Sequence, residues 1–225
     1  MTSQTNLLDL GLKEYGEVLE LQRKLVDLRA RKLIADTLVI VEHPPVFTVG
    51  KAVQGETPNQ VEGVPVFRIE RGGQWTYHGP GQLVGYPILD LNSRARDIHG
   101  FLRSIEEVLI LAIGDFNIVG GRGEQTGVWV GKKKIASIGA AIRNWTSFHG
   151  FALNVNTDLN YFHKISPCGF SGSTMTSMKA ELGHEMNFGE VKEHVLDAFE
   201  KAFNITLDRA APETLYARIA STVPS

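Results

Sequence analysis

The chain has 225 residues, 43% of them hydrophobic and 21% charged, which is the composition of an ordinary globular protein and excludes a disordered or low-complexity chain. A net charge of −2 supplies no basic field to draw nucleic acid, and no apolar run is long enough to cross a bilayer. A single cysteine excludes an internal disulfide framework and fits a reducing, cytoplasmic setting, and the first residues lack the basic-then-apolar pattern of a signal peptide.

No linker, repeat or charge run divides the chain, so one domain over residues 1–225 is expected. Leu7, Leu8 and Leu10 suggest a short edge strand. Helical spacing of Tyr15, Val18, Leu19, Leu25 and Val26 predicts a helix from about Lys13 to Leu33. The apolar run Thr37–Val41 reads as a buried strand that ends at Pro44 and Pro45, where ladder donors are missing. Val46–Gly50 resumes as extended chain, Lys51–Glu62 is a polar loop, and Val64–Ile69 is a further strand.

Arg71–Gln82 packs four glycines and a proline among Trp75, Tyr77, His78 and Arg71. Glycines let a backbone approach a ligand closely. The stretch reads equally as a ligand-binding turn or as a strand, turn and strand with aromatic packing. Leu83–Leu91 is a strand. Asp97 caps a second helix, with Ile98, Phe101, Leu102, Ile105, Val108, Leu109 and Ala112 inward, stopping near Gly114. Gly120–Gly123 is a loop. Gly127–Val130 and Lys134–Ile142 form a hairpin turning at Gly131–Lys132, whose Lys132 and Lys133 read as a solvated tip. Phe151–Asn156 is a strand. Asn187 and Glu190 open a helix that buries Val191, Val195, Ala198, Phe199 and Ala202. Pro212 starts a last short helix. Strands in the middle and long helices around them predict an α+β domain with a mixed, mainly antiparallel sheet.

Cys168 lies between Pro167 and Gly169, in a turn or at a segment end. A lone cysteine is often a small buried hydrophobe. A thiol beside an ammonium is instead a nucleophile, because the positive charge favours the thiolate. The lysines at 132–134 raise the question of whether one of them meets Cys168. Pairing with His78, His149 or His163, as in a cysteine protease, stays open. Neither Gly79–Gly85 nor Gly127–Lys132 fits a nucleotide fingerprint, and no zinc spacing is present, so a reaction without metal or nucleotide is the simpler expectation.

The segments Glu42–Gly50, Arg71–Gln82, Lys134–Gly139, Ser147–Asn154 and Pro167–Gly169 resemble, in order and approximate spacing, the motifs of the lipoyl(octanoyl) transferases. The resemblance covers about residues 7–205. It implies a fold like the catalytic domain of biotin and lipoate ligases. It also implies transfer of an octanoyl group from acyl carrier protein to a lysine of lipoyl domains and of glycine-cleavage H protein. By this resemblance Cys168 is the acyl-accepting residue and Lys134 its catalytic partner. The acyl pocket falls on Arg71, Gly72, Gly73, Gln74, Trp75, Thr76, Tyr77 and His78, on Ser137, Ile138 and Gly139, and on Gly150, Phe151 and Ala152. A monomer needing no cofactor is expected, with Trp75, Tyr77 and Phe151 as candidates for lining the slot or for core packing. Arg71, Arg143, Lys132 and Lys133 are candidates for a basic rim facing the acidic carrier. Glycine-rich turns near Gly72–Gly73 and Ser137–Gly139 are candidates for the amides that meet a tetrahedral oxyanion.

Overall fold

The computed structural model describes residues 3–94, 96–165, 174–209 and 212–221. Cys168 lies outside the described residues. In chain order the strands and helices are β1 (Ser3–Leu12), α1 (Tyr15–Ala30), β2 (Thr37–Glu42), β3 (Val46–Val49), β4 (Gln60–Val61) and β5 (Val64–Arg68). They continue with β6 (Trp75–His78), β7 (Gln82–Ile88), α2 (Ile98–Gly114), β8 (Gly121–Arg122), β9 (Gly127–Val130) and β10 (Lys133–Arg143). The last are β11 (Thr146–Asn154), α3 (Met178–Leu182), α4 (Phe188–Phe203), β12 (Ile205–Asp208) and α5 (Pro212–Ser221).

An eight-stranded sheet runs β12-β1-β2-β7-β11-β10-β9-β8, and a smaller one runs β4-β5-β3-β6. The β12-β1-β2 and β3-β5 pairs are parallel and the rest antiparallel, which is the mixed α+β arrangement expected. The large sheet is buried on both faces. Leu38, Ile40, Leu83, Phe151 and Leu153 join α2 and α4 in one core, while Val39, Val41, Val84 and Ala152 join α1 and α5 in another. Neighbours in sequence go to opposite cores because side chains alternate along a strand. That two-sided burial is why β2 reads as a continuous apolar run. Tyr15 and Leu19 of α1 then meet Val46 and Ile69, which docks the small sheet on the same helix.

β1 is not an edge strand. It spans ten residues and lies between β2 and β12. β12 was hidden because its four residues follow α4 directly, after Asn204 ends the helix in the left-handed region at φ 51°. β11 begins at Thr146, five positions ahead of the expected start, in a segment too polar at Ser147 and His149 to read as strand. Gly120–Gly123 holds the two-residue β8 instead of loop alone.

Two caps match expectation. Asn187 Oδ1 accepts from the Glu190 amide at 3.3 Å, and Asp97 Oδ1 accepts from the Gly100 amide at 2.8 Å. Replacing Asp97 by Ala should lower unfolding free energy by about 1 kcal/mol in urea titration, since α2 would start with an orphaned amide. Among the described residues no helix is long and apolar enough to cross a membrane.

Candidate active site

The site starts at the turn between β5 and β6. Lys51, Gly50 and Ala52 donate backbone hydrogen bonds to the carbonyls of Arg71, Gln74 and Gly73, so the turn lies along the end of β3. Any side chain at Gly50 would put its Cβ 2.4 Å from the Gly73 carbonyl oxygen, which explains the glycine there. Arg71 is buried. Its Nη2 donates to the Thr48 carbonyl and hydroxyl oxygens, both at 2.9 Å, and its Nη1 donates to Gly72 O at 3.0 Å. Arg71 therefore braces the turn and does not belong to a basic rim. The Gly72 amide donates to Ala140 O at 3.2 Å, which ties the turn to β10 and removes that amide from the candidate oxyanion donors.

The turn, β10 and β11 enclose a cavity. Arg71, Gly72, Gly73, Thr76, His78, Lys134, Ser137, Ile138, Gly139, Gly150, Phe151 and Ala152 all line it. Tyr15, Ile69, Tyr86 and His149 complete the wall. Gln74 lies instead on an adjoining open groove, shared with Gly72, Gly73, Lys134, Ile138 and Gly139 and bordered by Glu124, Gln125 and Thr126. Trp75 and Tyr77 line neither space. Alternation along β6 turns Thr76 and His78 to the cavity and the two aromatics away. Tyr77 stacks on Tyr161 at 4.5 Å and meets Phe162 edge-on, and Trp75 packs against the same cluster. For Tyr77 the core-packing reading is the correct one.

Lys132 and Lys133 are exposed at the hairpin tip, whereas Lys134 is only 3% exposed. The register of β10 on β9 passes from Lys134 opposite Trp129 to Ala136 opposite Val128, which is a bulge of one residue. In a regular strand Lys134 and Ser137, three apart, would face opposite ways; the extra residue lets both border one cavity. The Lys134 Nζ stands 5.5 Å from the Trp129 ring centroid, in the range of a cation–π contact. Lys134 O accepts from the Thr176 amide at 2.9 Å, and Met175 pairs with Lys134 in a parallel bridge. Lys134 borders both the cavity and the groove.

His78 is held by a polar chain. Gln82 Nε2 donates to Tyr77 O at 3.1 Å and to Asn154 Oδ1 at 2.9 Å, so Gln82 Oε1 accepts from His78 Nδ1 at 2.8 Å. This network assigns the proton to Nδ1 and leaves Nε2 as an acceptor. Asn154 Nδ2 continues the chain to Thr176 O at 2.9 Å. His43 bonds Lys13 O and the Tyr86 hydroxyl. His149 has a left-handed backbone, φ 55°, and its Nε2 is 3.7 Å from Glu70 Oε2.

Burial lowers the pKa of His43 to about 4, of His78 to about 3 and of His149 to about 4; His43 and Arg71 add to the effect at His78, and Arg71 to that at His149. All three are neutral at pH 7. Each folded value lies below the ordinary 6.5, so stability present above pH 6.5 is lost as pH falls toward 4, and for His78 toward 3. Proton uptake by these histidines on unfolding should make stability decline by roughly 3–4 kcal/mol per pH unit near pH 5. Urea unfolding between pH 5 and 7 measures the slope, and a flat profile would contradict it. His163 is exposed and lines neither space, so it offers no partner there. Among the described residues no three His, Cys, Asp or Glu side chains cluster as a metal site.

Residues 14–200 match the family model of the lipoyl protein ligase A/B catalytic domain. The octanoyltransferase of Geotalea uraniireducens (strain Rf4) is 46% identical over 197 residues, covering 87% of this chain and 91% of that protein. The octanoyltransferase of Syntrophotalea carbinolica is 46% identical over 209 residues, covering 92% and 98%. The chain belongs to the octanoyltransferases. Among solved structures, a lipoate-protein ligase A bound with ATP superposes with a TM-score of 0.70 at 16% identity, covering 98% of this chain and 94% of that one. The apo biotin protein ligase of Aquifex aeolicus gives 0.53 at 12% identity, covering 91% and 70%. At such identities the likeness concerns the fold, which is the ligase-like fold expected from the motifs.

Proposed function

We propose that this octanoyltransferase moves an octanoyl group from acyl carrier protein to a specific lysine of lipoyl domains and of glycine-cleavage H protein, through a thioester on Cys168. The observation that carries the reading is Lys134, an amine buried where the cavity meets the adjoining groove. The described backbone on both sides of Cys168 in sequence supports it. Ile165 packs against the cluster that contains Met175, and Met175 pairs with Lys134.

In the first step the Lys134 ammonium favours the Cys168 thiolate. The thiolate adds to the thioester carbonyl of octanoyl carrier protein. The tetrahedral centre collapses, the carrier sulfur leaves and takes a proton from the Lys134 ammonium, and the acyl group remains on Cys168. In the second step the acceptor lysine, as free amine, attacks the acyl-Cys168 carbonyl. Neutral Lys134 takes the amine's proton and the Cys168 thiolate is the leaving group, which regenerates the starting pair. A thioester becomes an amide, so the reaction runs downhill without ATP or another cofactor. The acyl chain lies along the cavity and the adjoining groove, each buried methylene contributing about 0.8 kcal/mol. The groove admits the partner proteins' reactive arms.

The test is to mix the protein with octanoyl carrier protein and follow intact mass. An acyl adduct removed by hydroxylamine, and then transferred to a lipoyl domain without ATP, is expected. ATP-dependent attachment of free lipoate that survives Cys168→Ala would overturn the reading in favour of a ligase.

A further inference from the structure

Gly127 opens β9 at φ 140°, a backbone conformation that strains residues with a side chain. A Cβ at this position would lie 2.3 Å from Lys134 Cε, 3.1 Å from Lys134 Nζ and 2.6 Å from the Ala136 carbonyl oxygen. The end of the lysine thus crosses the place where any other residue would begin its side chain. A glycine has no side chain of its own to anchor it. Its anchor here is Glu106, whose Oε1 accepts from the Gly127 amide at 3.1 Å.

Glu106 is conspicuous for its position. It sits in α2 beside the buried Ile105, Val108 and Leu109, and its side chain is 2% exposed. A carboxylate taken from water to such a place costs much unless it is well paired. Its other oxygen accepts from Arg103 Nη1 at 2.7 Å and Arg122 Nε at 3.2 Å. Packing against β9 alone would be served by an apolar residue. Besides its ion pairs with Arg103 and Arg122, a carboxylate adds a charge-assisted bond to one backbone amide, that of Gly127.

We propose that Glu106 and Gly127 are positioning residues for Lys134: Glu106 fixes the start of β9 through the Gly127 amide, and the missing side chain of Gly127 keeps open the path that holds the lysine amine at the junction of cavity and groove. The inference rests on the catalytic role proposed above for Lys134.

The test is single-turnover acylation by octanoyl carrier protein across pH. It uses the full-length wild type, Glu106→Ala, Glu106→Gln, Gly127→Ala and Lys134→Ala, with the first three substitutions also made in the Lys134→Ala background. Glu106→Ala and Gly127→Ala should slow acylation at pH 7 by about 10- to 100-fold, the size expected from misplacing a catalytic group by about 1 Å. Their pH–rate profiles should move to alkaline pH, in the same direction as that of Lys134→Ala. In the Lys134→Ala background they should slow it by no more than about twofold, because residues acting as one unit are not additive. Glu106→Gln keeps an acceptor for the Gly127 amide, and its arginine partners, partly exposed, can turn to water; it should recover most of the rate. If Gly127→Ala does not fold, the Glu106 variants alone decide.

Equal slowing in both backgrounds, an unmoved pH profile, or a Glu106→Gln rate as low as that of Glu106→Ala would overturn the inference while leaving Lys134 its role. An unchanged rate in Lys134→Ala itself would overturn that role, and the inference with it.

Discussion

Cys168→Ala should form no octanoyl-enzyme and should transfer octanoate to a lipoyl domain about 10⁴- to 10⁶-fold more slowly, the range seen when a covalent nucleophile is removed. The chain contains a single cysteine, so no second thiol can substitute. The adduct is read by intact mass and the transfer rate by gel shift or mass of the acceptor. Cys168→Ser separates nucleophilicity from shape. A hydroxyl of ordinary basicity has no comparable ionised fraction, so acylation should again be lost while carrier binding persists. Transfer in Cys168→Ala at a rate near wild type would mean that the acyl group passes directly from carrier to acceptor.

Lys134→Ala is the second large effect. Acylation at pH 7 should fall by roughly 10²- to 10⁴-fold, the usual contribution of a positioned acid or base. The loss should be partly recovered at alkaline pH, where an unassisted thiol ionises near its ordinary pKa of about 8.5. Recovery is only partial because the departing carrier thiol still lacks a proton donor. Rapid-quench acylation at pH 7 and pH 9.5 gives both numbers. Lys132→Ala and Lys133→Ala are controls at the exposed tip, and neither lines the cavity or the groove.

Much of this was legible in the residues, for physical reasons that can be named. The α2 cap could be read because Asp97 and the apolar stripe after it are local signals, and the same holds for Asn187. The hairpin at Gly131 could be read from turn chemistry, which also separated the two tip lysines from Lys134. The glycines of the Arg71–Gln82 segment leave a ligand-binding turn and a strand, turn and strand equally open, and the hydrogen bonds that press Gly72 and Gly73 onto β3 and β10 are visible only in the fold.

Other features depend on contacts between distant parts of the chain. The extra residue at Ile135 that re-aims Lys134 exists only in the pairing of β9 with β10. Arg71 carries a charge that suggests a surface, yet Thr48 and the Gly72 carbonyl hold it inside. Tyr77 could be assigned to either face of β6 until the register with β3 was known. Glu106 carries no local signal, because nothing in its own segment shows that β9 lies against it. Tyr15 had the correct inward parity in α1, but its place in the cavity wall beside His43 and His78 follows from how α1 meets the small sheet.

The most direct measurement of the central claim is the pH dependence of iodoacetamide alkylation, which in a chain with one cysteine reports Cys168 alone. Wild type should show a midpoint well below the ordinary thiol value, and Lys134→Ala should return it to that value or above. Identical midpoints in the two proteins would contradict the pairing of sulfur and amine.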